Sequence, residues 1–164
     1  MLSDVDSHAI TSELTARALA SDWVVLAGSL PRGVNTDWYC DLISAVRAAA
    51  PQARIAVDTS DAPMQAIGES LNSAAPDLIK PNGLELGQLT GTDGRELENQ
   101  AARGEYSGVV RAARDVVKQG IAEVLVTLGG AGAVLVTADG AWAATPPPAT
   151  VKSTVGAGDA ALAG

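Results

Sequence analysis

The sequence predicts an α/β fold, a mostly parallel sheet with helices on both faces and a β-hairpin near its carboxyl end. Three observations carry that expectation. The run Trp23-Val24-Val25-Leu26-Ala27 is short and wholly apolar, as in a strand buried on both faces. Runs of this kind alternate with longer segments of helical spacing, the pattern of β-α-β units. Ala133-Val134-Leu135-Val136-Thr137 and Ala141-Trp142-Ala143-Ala144 flank Asp139-Gly140, a hairpin turn signal.

In chain order, residues 11–20 have helical spacing, with Thr11 or Ser12 as cap and Leu14, Ala18 and Leu19 inward. The polar start before them, with His8, reads as frayed and exposed. The strand at 23–27 leads into the loop Gly28-Ser29-Leu30-Pro31-Arg32-Gly33. A helix follows to Ala50, stopped by Pro51, and Ile55-Ala56-Val57-Asp58 is the next strand. Residues 62–71 form a helix with Pro63 tolerated in its first turn. Leu78-Ile79-Lys80 is a strand stopped by Pro81, and Asn82-Gly83-Leu84-Glu85 opens a helix. Residues 91–107 are polar and broken by glycines, without a clear period. Residues 109–119 are helical and closed by Gly120. The strand 123–127, the glycine loop 128–132, the hairpin and the stiff Pro146-Pro147-Pro148 link complete the series.

Composition narrows the function. The chain has 164 residues, enough for one substantial core, and is 47% hydrophobic and 18% charged, as in soluble globular proteins. Phe is absent, so the core is aliphatic, and Trp23 and Trp142 are expected in the core or at an interface. A net charge of −8 argues against a nucleic-acid or anionic membrane partner. No apolar run reaches membrane-spanning length. The single cysteine, Cys40, excludes an internal disulfide and fits a reducing, cytoplasmic setting. Its neighbours Trp38, Tyr39, Leu42 and Ile43 make it a small core residue rather than a nucleophile.

The stretch with the most chemistry is Ser153-Thr154-Val155-Gly156-Ala157-Gly158-Asp159. It reads as a strand end, a glycine turn and the first turn of a helix. Gly156 and Gly158 permit a tight turn with free N–H groups, and a helix opening there adds its positive end, which makes a phosphate-sized anion site. Asp159 at the rim would repel a resting phosphate. A carboxylate there makes sense as the acceptor of a proton from a hydroxyl that attacks phosphorus. Gly156-x-Gly158-x-x-Ala161 also fits a loose dinucleotide-binding pattern, but that pattern requires a further β-α-β unit and a ribose-binding acid. Asn82-x-x-Glu85 is equally a helix cap with its capping partner, and Gly129, Gly130 and Gly132 equally a tight turn. Asp58 at a strand end stays unassigned, and the acidic tract 85–105 reads as a solvated face.

Four motifs in order resemble the PfkB-type carbohydrate kinases, which have the ribokinase-like fold. They are Gly28-Ser29-Leu30-Pro31-Arg32-Gly33, Lys80-Pro81-Asn82-Gly83-Leu84-Glu85, Val126-Thr127-Leu128-Gly129-Gly130-Ala131-Gly132 and Thr154-Val155-Gly156-Ala157-Gly158-Asp159. The first is similar to the version in the family's phosphosugar branch. The resemblance implies transfer of the ATP γ-phosphoryl group to a sugar phosphate, with Asp159 as base and the amides of Val155, Gly156, Ala157 and Gly158 as anion hole. Lys80, Thr127, Leu128, Gly129, Gly130, Ala131, Gly132 and Gly158 would line ATP, and Asn82 and Glu85 would position Mg²⁺ through water. The wording of the last motif implies fructose 1-phosphate ahead of tagatose 6-phosphate. Ala160 stands where a serine commonly follows the catalytic Asp.

The resemblance covers about the carboxyl-terminal half of a family member, a single partial domain truncated at both ends. It admits a homodimer of the full-length protein. The segment alone is expected to be inactive, and a non-catalytic truncated relic or nucleotide-binding fragment is the alternative of another class.

Overall fold

The computed structural model describes residues 2–147 and residue 161. The motif that ends in Asp159 lies outside the described residues, as does Pro148. The chain forms two compact units, Met1–Asp77 and Leu78–Gly164.

The first unit contains α1 (Asp4–Ala18), β1 (Trp23–Ala27), α2 (Trp38–Ala49), β2 (Arg54–Asp58), α3 (Asp61–Glu69) and α4 (Leu71–Ala74). Helix α1 starts well before Thr11 because Ser3 and Asp6 make a capping box. The Asp6 N–H donates to Ser3 Oγ at 3.2 Å, and the Ser3 N–H donates to Asp6 Oδ2 at 3.1 Å. Hydrogen bonds from the Ser3 hydroxyl and then its N–H hold the Asp6 carboxyl below the usual carboxylate value. The polar start is therefore helix rather than frayed chain; His8 is exposed as expected, while Leu19 lies at the exposed end.

Strands β1 and β2 run parallel, with Trp23 opposite Arg54 and Ala27 opposite Asp58. The expectation that β1 is buried on both faces is corrected. Val24 and Leu26 are each 6% exposed, but Trp23 is 40% and Val25 51% exposed. Among the described residues β1 pairs only with β2, and an apolar residue on a strand need not be buried. The Arg54 guanidinium lies 4.2 Å from the Trp23 ring centroid and partly covers that open face. Strand β2 does fit the expectation: Ile55, Ala56 and Val57 are all buried. Its start is fastened by Asp77 Oδ2, which accepts from the Ile55 N–H at 2.7 Å and from Arg47 Nη2 of α2 at 2.6 Å. Cys40 lies buried on α2, and burial pushes its thiol up, so it belongs to the core as its neighbours implied.

The second unit contains β3 (Leu78–Ile79), α5 (Gly83–Thr90), α6 (Gly94–Ala102), α7 (Ser107–Lys118), β4 (Glu123–Thr127), a 3-10 turn (Gly129–Ala131), β5 (Ala133–Thr137) and β6 (Ala141–Ala144). Strand β3 is parallel to β4, β4 is antiparallel to β5, and β5–β6 is the expected hairpin. Helix α7 covers β4 and β5 with Val109, Ala112, Ala113 and Val116, all buried. Trp142, on β6, is 55% exposed and so is not a core residue.

Helix α6 occupies most of the stretch without a clear period. Asp93 Oδ1 caps it, accepting from the N–H groups of Arg95 at 3.0 Å and Glu96 at 3.2 Å. Its glycine start serves packing: a Cβ on Gly87 of α5 would come within 2.6 Å of the Gly94 backbone. Gly94, one of the glycines that blur the helical signal, is what lets the two helices approach.

The α/β class is thus present, with parallel strand pairs, intervening helices and a late hairpin.

Candidate functional site

In the second unit two of the motif segments converge. Lys80-Pro81-Asn82 follows β3 and Thr127 ends β4, and these parallel strands bring the segments side by side. The Thr127 N–H donates to the Pro81 carbonyl at 3.0 Å, and Asn82 and Thr127 form a parallel bridge. The site lies beyond the carboxyl ends of both strands, where parallel sheets place their ligands.

Asn82 is the cap of α5. Its Oδ1 accepts from the Glu85 N–H at 2.8 Å, and its own N–H donates to Glu85 Oε2 at 2.8 Å. The capping reading of this pair is therefore correct. It does not exclude a ligand, since the Asn82 side-chain NH₂ takes no part in the box. The box fixes both side chains at the opening of α5, whose positive end faces the same edge. Lys80 is buried, 5% exposed, and is engaged with a partner rather than free, as a buried charge must be.

The glycine loop is a compact turn. The Leu128 N–H donates to the Gly132 carbonyl at 2.8 Å, the Ala131 N–H to Leu128 at 3.0 Å, and the Gly132 N–H to Gly129 at 3.0 Å. Gly129 has φ +55° and Gly132 φ +95°. The N–H groups of Gly129 and Gly130 take no part in the turn's own bonds, and both residues are exposed. From outside the loop, the Tyr106 hydroxyl donates to the Ala131 carbonyl at 2.8 Å. Tyr106 carried no signal in the sequence, since nothing in its neighbourhood points to a residue 25 positions away.

The first unit holds the remaining described motif. Gly28 turns the chain at the end of β1 with φ +97°. Its N–H donates to the Asp58 carbonyl at 2.9 Å, and its own carbonyl accepts from Tyr39 Oη at 2.9 Å and Thr59 Oγ1 at 3.0 Å. A cavity of about 300 Å³ opens beside the loop, lined by Ser29, Arg32, Thr36, Ser60 and Asp61 among others. Asp61 has φ +56°, a left-handed conformation uncommon outside glycine. The polar run Thr59-Ser60-Asp61 directly after β2 was the available signal for this side of the cavity. Asp159, Val155, Gly156, Ala157 and Gly158 lie outside the described residues.

The residues present suit a magnesium ion only in part. Asn82 and Glu85 offer hard oxygen donors, but one oxygen of each already accepts in the capping box. Direct ligation through those atoms would compete with the cap. Contact through water, with most of the ion's shell left to phosphate and solvent, fits that arrangement and the habits of Mg²⁺.

The profile of the pfkB family carbohydrate kinases matches residues 5–164. A protein of Rhodobacter capsulatus named 1-phosphofructokinase is 43% identical over 162 residues, covering 98% of this chain and 46% of that protein. One of the same name from Bacillus subtilis is 32% identical over 166 residues, covering 99% and 48%. Phosphofructokinase-2 of Escherichia coli, solved in complex with fructose-6-phosphate, superposes with a TM-score of 0.78 at 29% identity, over 98% of this chain and 48% of that one. Arabidopsis thaliana ribokinase, complexed with ribose and ATP, superposes with a TM-score of 0.64 at 26% identity, over 99% and 45%. The chain therefore spans about half the length of the relatives it matches.

Proposed function

This chain belongs to the pfkB family of carbohydrate kinases, with the ribokinase-like fold, and from that membership we propose that it supplies the nucleotide side and the catalytic base of a sugar-phosphate kinase. The reaction is transfer of the ATP γ-phosphoryl group to fructose 1-phosphate, giving fructose 1,6-bisphosphate and ADP. The observation that carries the reading is the Thr127–Pro81 hydrogen bond, which joins two phosphate-kinase motifs at one strand edge.

In this mechanism Asp159 accepts the proton of the acceptor hydroxyl, whose oxygen forms the new bond to phosphorus as the bond to the ADP oxygen breaks. The amides of Val155, Gly156, Ala157 and Gly158 hold the charge that builds on the transferring group. Lys80, with Thr127, Leu128, Gly129, Gly130, Ala131 and Gly132, lines the nucleotide. Asn82 and Glu85 would hold Mg²⁺ through water, and the ion would supply charge neutralisation of the phosphates. The cavity beside Gly28 in the first unit is proposed for the sugar phosphate, with Arg32 supplying positive charge at its wall. Self-association of the whole protein belongs to the same proposal. The described residues include no helix long and apolar enough to cross a membrane.

Substrate choice is tested in the chain completed to the length of its relatives. The kcat/KM for fructose 1-phosphate is expected to exceed those for tagatose 6-phosphate and fructose 6-phosphate by about tenfold or more, a transition-state difference ordinary for a polar recognition site. A preference for either competitor would overturn the fructose 1-phosphate assignment and leave the kinase assignment standing.

A further inference from the structure

We propose that Tyr106 is a positioning residue for the nucleotide loop, holding it in the conformation that presents the Gly129 and Gly130 amides to ATP. The inference rests on the reading of residues 127–132 as nucleotide-binding.

Tyr106 stands immediately before α7, and α7 is seated on β4 and β5, the two strands the loop connects. Its ring is half-buried and its hydroxyl reaches the Ala131 carbonyl at 2.8 Å. The peptide unit between Ala131 and Gly132 is planar, so its C=O and N–H point in opposite directions and fixing one aims the other. Here both ends are tied. The carbonyl accepts from Tyr106, and the N–H donates to the Gly129 carbonyl at 3.0 Å.

That double tie matters because of what the loop is made of. A turn containing Gly129, Gly130 and Gly132 gains no restraint from side chains, and glycine populates many backbone states. A loop free to rotate its peptides would lose the ordering entropy again on every binding event. The Tyr106 hydroxyl restrains the turn at its centre from outside the loop. On the open side, Gly130 has nothing within 4 Å of a notional Cβ among the described residues, which leaves room for a ligand.

Tyr106→Phe removes the hydroxyl and keeps the ring. In the whole enzyme, KM for ATP is expected to rise about five- to tenfold, while kcat at saturating ATP and KM for the sugar phosphate stay within about twofold, the pattern of lost uniform binding. Amide exchange at Gly132 and Ala131 is expected to quicken about tenfold in the nucleotide-free protein, since protection there reports local opening. A merely structural tyrosine would shift both substrates' KM together or leave exchange in the loop unchanged, and either result overturns the proposal. Faster exchange with unchanged KM for ATP also overturns it. None of these outcomes touches the kinase reading, which stands or falls on ATP-dependent turnover of the unsubstituted enzyme.

Discussion

Asp159→Asn, in the chain completed to the length of its relatives, is expected to lower kcat by about 10²–10⁴-fold, the usual contribution of a general base. Asn keeps the size and most of the hydrogen bonding of the carboxylate, so the effect isolates the missing proton acceptor. KM for ATP should stay within about twofold, because a base that acts in the transition state contributes little to ground-state binding. The pH profile supplies a second reading. With Asp159 as base, kcat falls on the acid side as its carboxylate is protonated, and the substituted enzyme lacks that limb. Turnover within a few-fold of the parent, or an unchanged acid limb, would remove Asp159 from the base role.

The second large effect is structural and local. Gly132→Ala should destabilise the protein by about 2–6 kcal/mol, combining backbone strain with overpacking. Gly132 sits at φ +95° and ψ −139°, a region essentially closed to other residues. A Cβ there would also collide with the Ala144 carbonyl oxygen and press on Thr145 Cα, both backbone atoms of the neighbouring strand and its exit. Backbone on this side cannot swing away as a flexible side chain would. Gly130→Ala is the matched control, because nothing among the described residues lies within 4 Å of its notional Cβ; it should cost within about 0.5 kcal/mol, like other surface changes. Denaturant unfolding of the two variants checks the pair. Equal stabilities would show that β6 yields at Ala144 and that the loop is not built around a missing side chain.

The local structure of two candidate segments was more legible in the sequence than parts of the scaffold around them. Asn82 and Glu85 could be read because a capping box has a fixed three-residue spacing, and the structure forms that box. The glycine loop could be read because Gly129 and Gly132 need positive φ, which few other residues adopt. Trp23 and Val25 of β1 look like core in any sequence window, and only the strand pairing leaves their face open. Helix α6 was hidden by Gly91, the left-handed cap that ends α5, and by Gly94, which acts through contact between the two helices rather than through local propensity. The early start of α1 turns on Ser3 and Asp6, a capping pair set in a polar segment with no apolar period to mark it as helix. Tyr106 was illegible for a different reason: its hydrogen bond is long-range, and no period or motif encodes such a contact.

The central proposal is that this chain carries the nucleotide loop and the catalytic base of a sugar-phosphate kinase, and that turnover also requires the part of its relatives that it does not match. Sugar-dependent ADP release, measured with fructose 1-phosphate and Mg-ATP on the 164-residue chain alone and on the chain completed to the length of its relatives, tests this directly. Turnover on the order of 1–10³ s⁻¹ is expected from the completed enzyme, the ordinary range for enzymes, and none above background from the chain alone. No sugar-dependent release from a folded, completed enzyme, or full turnover from the chain by itself, would contradict the account.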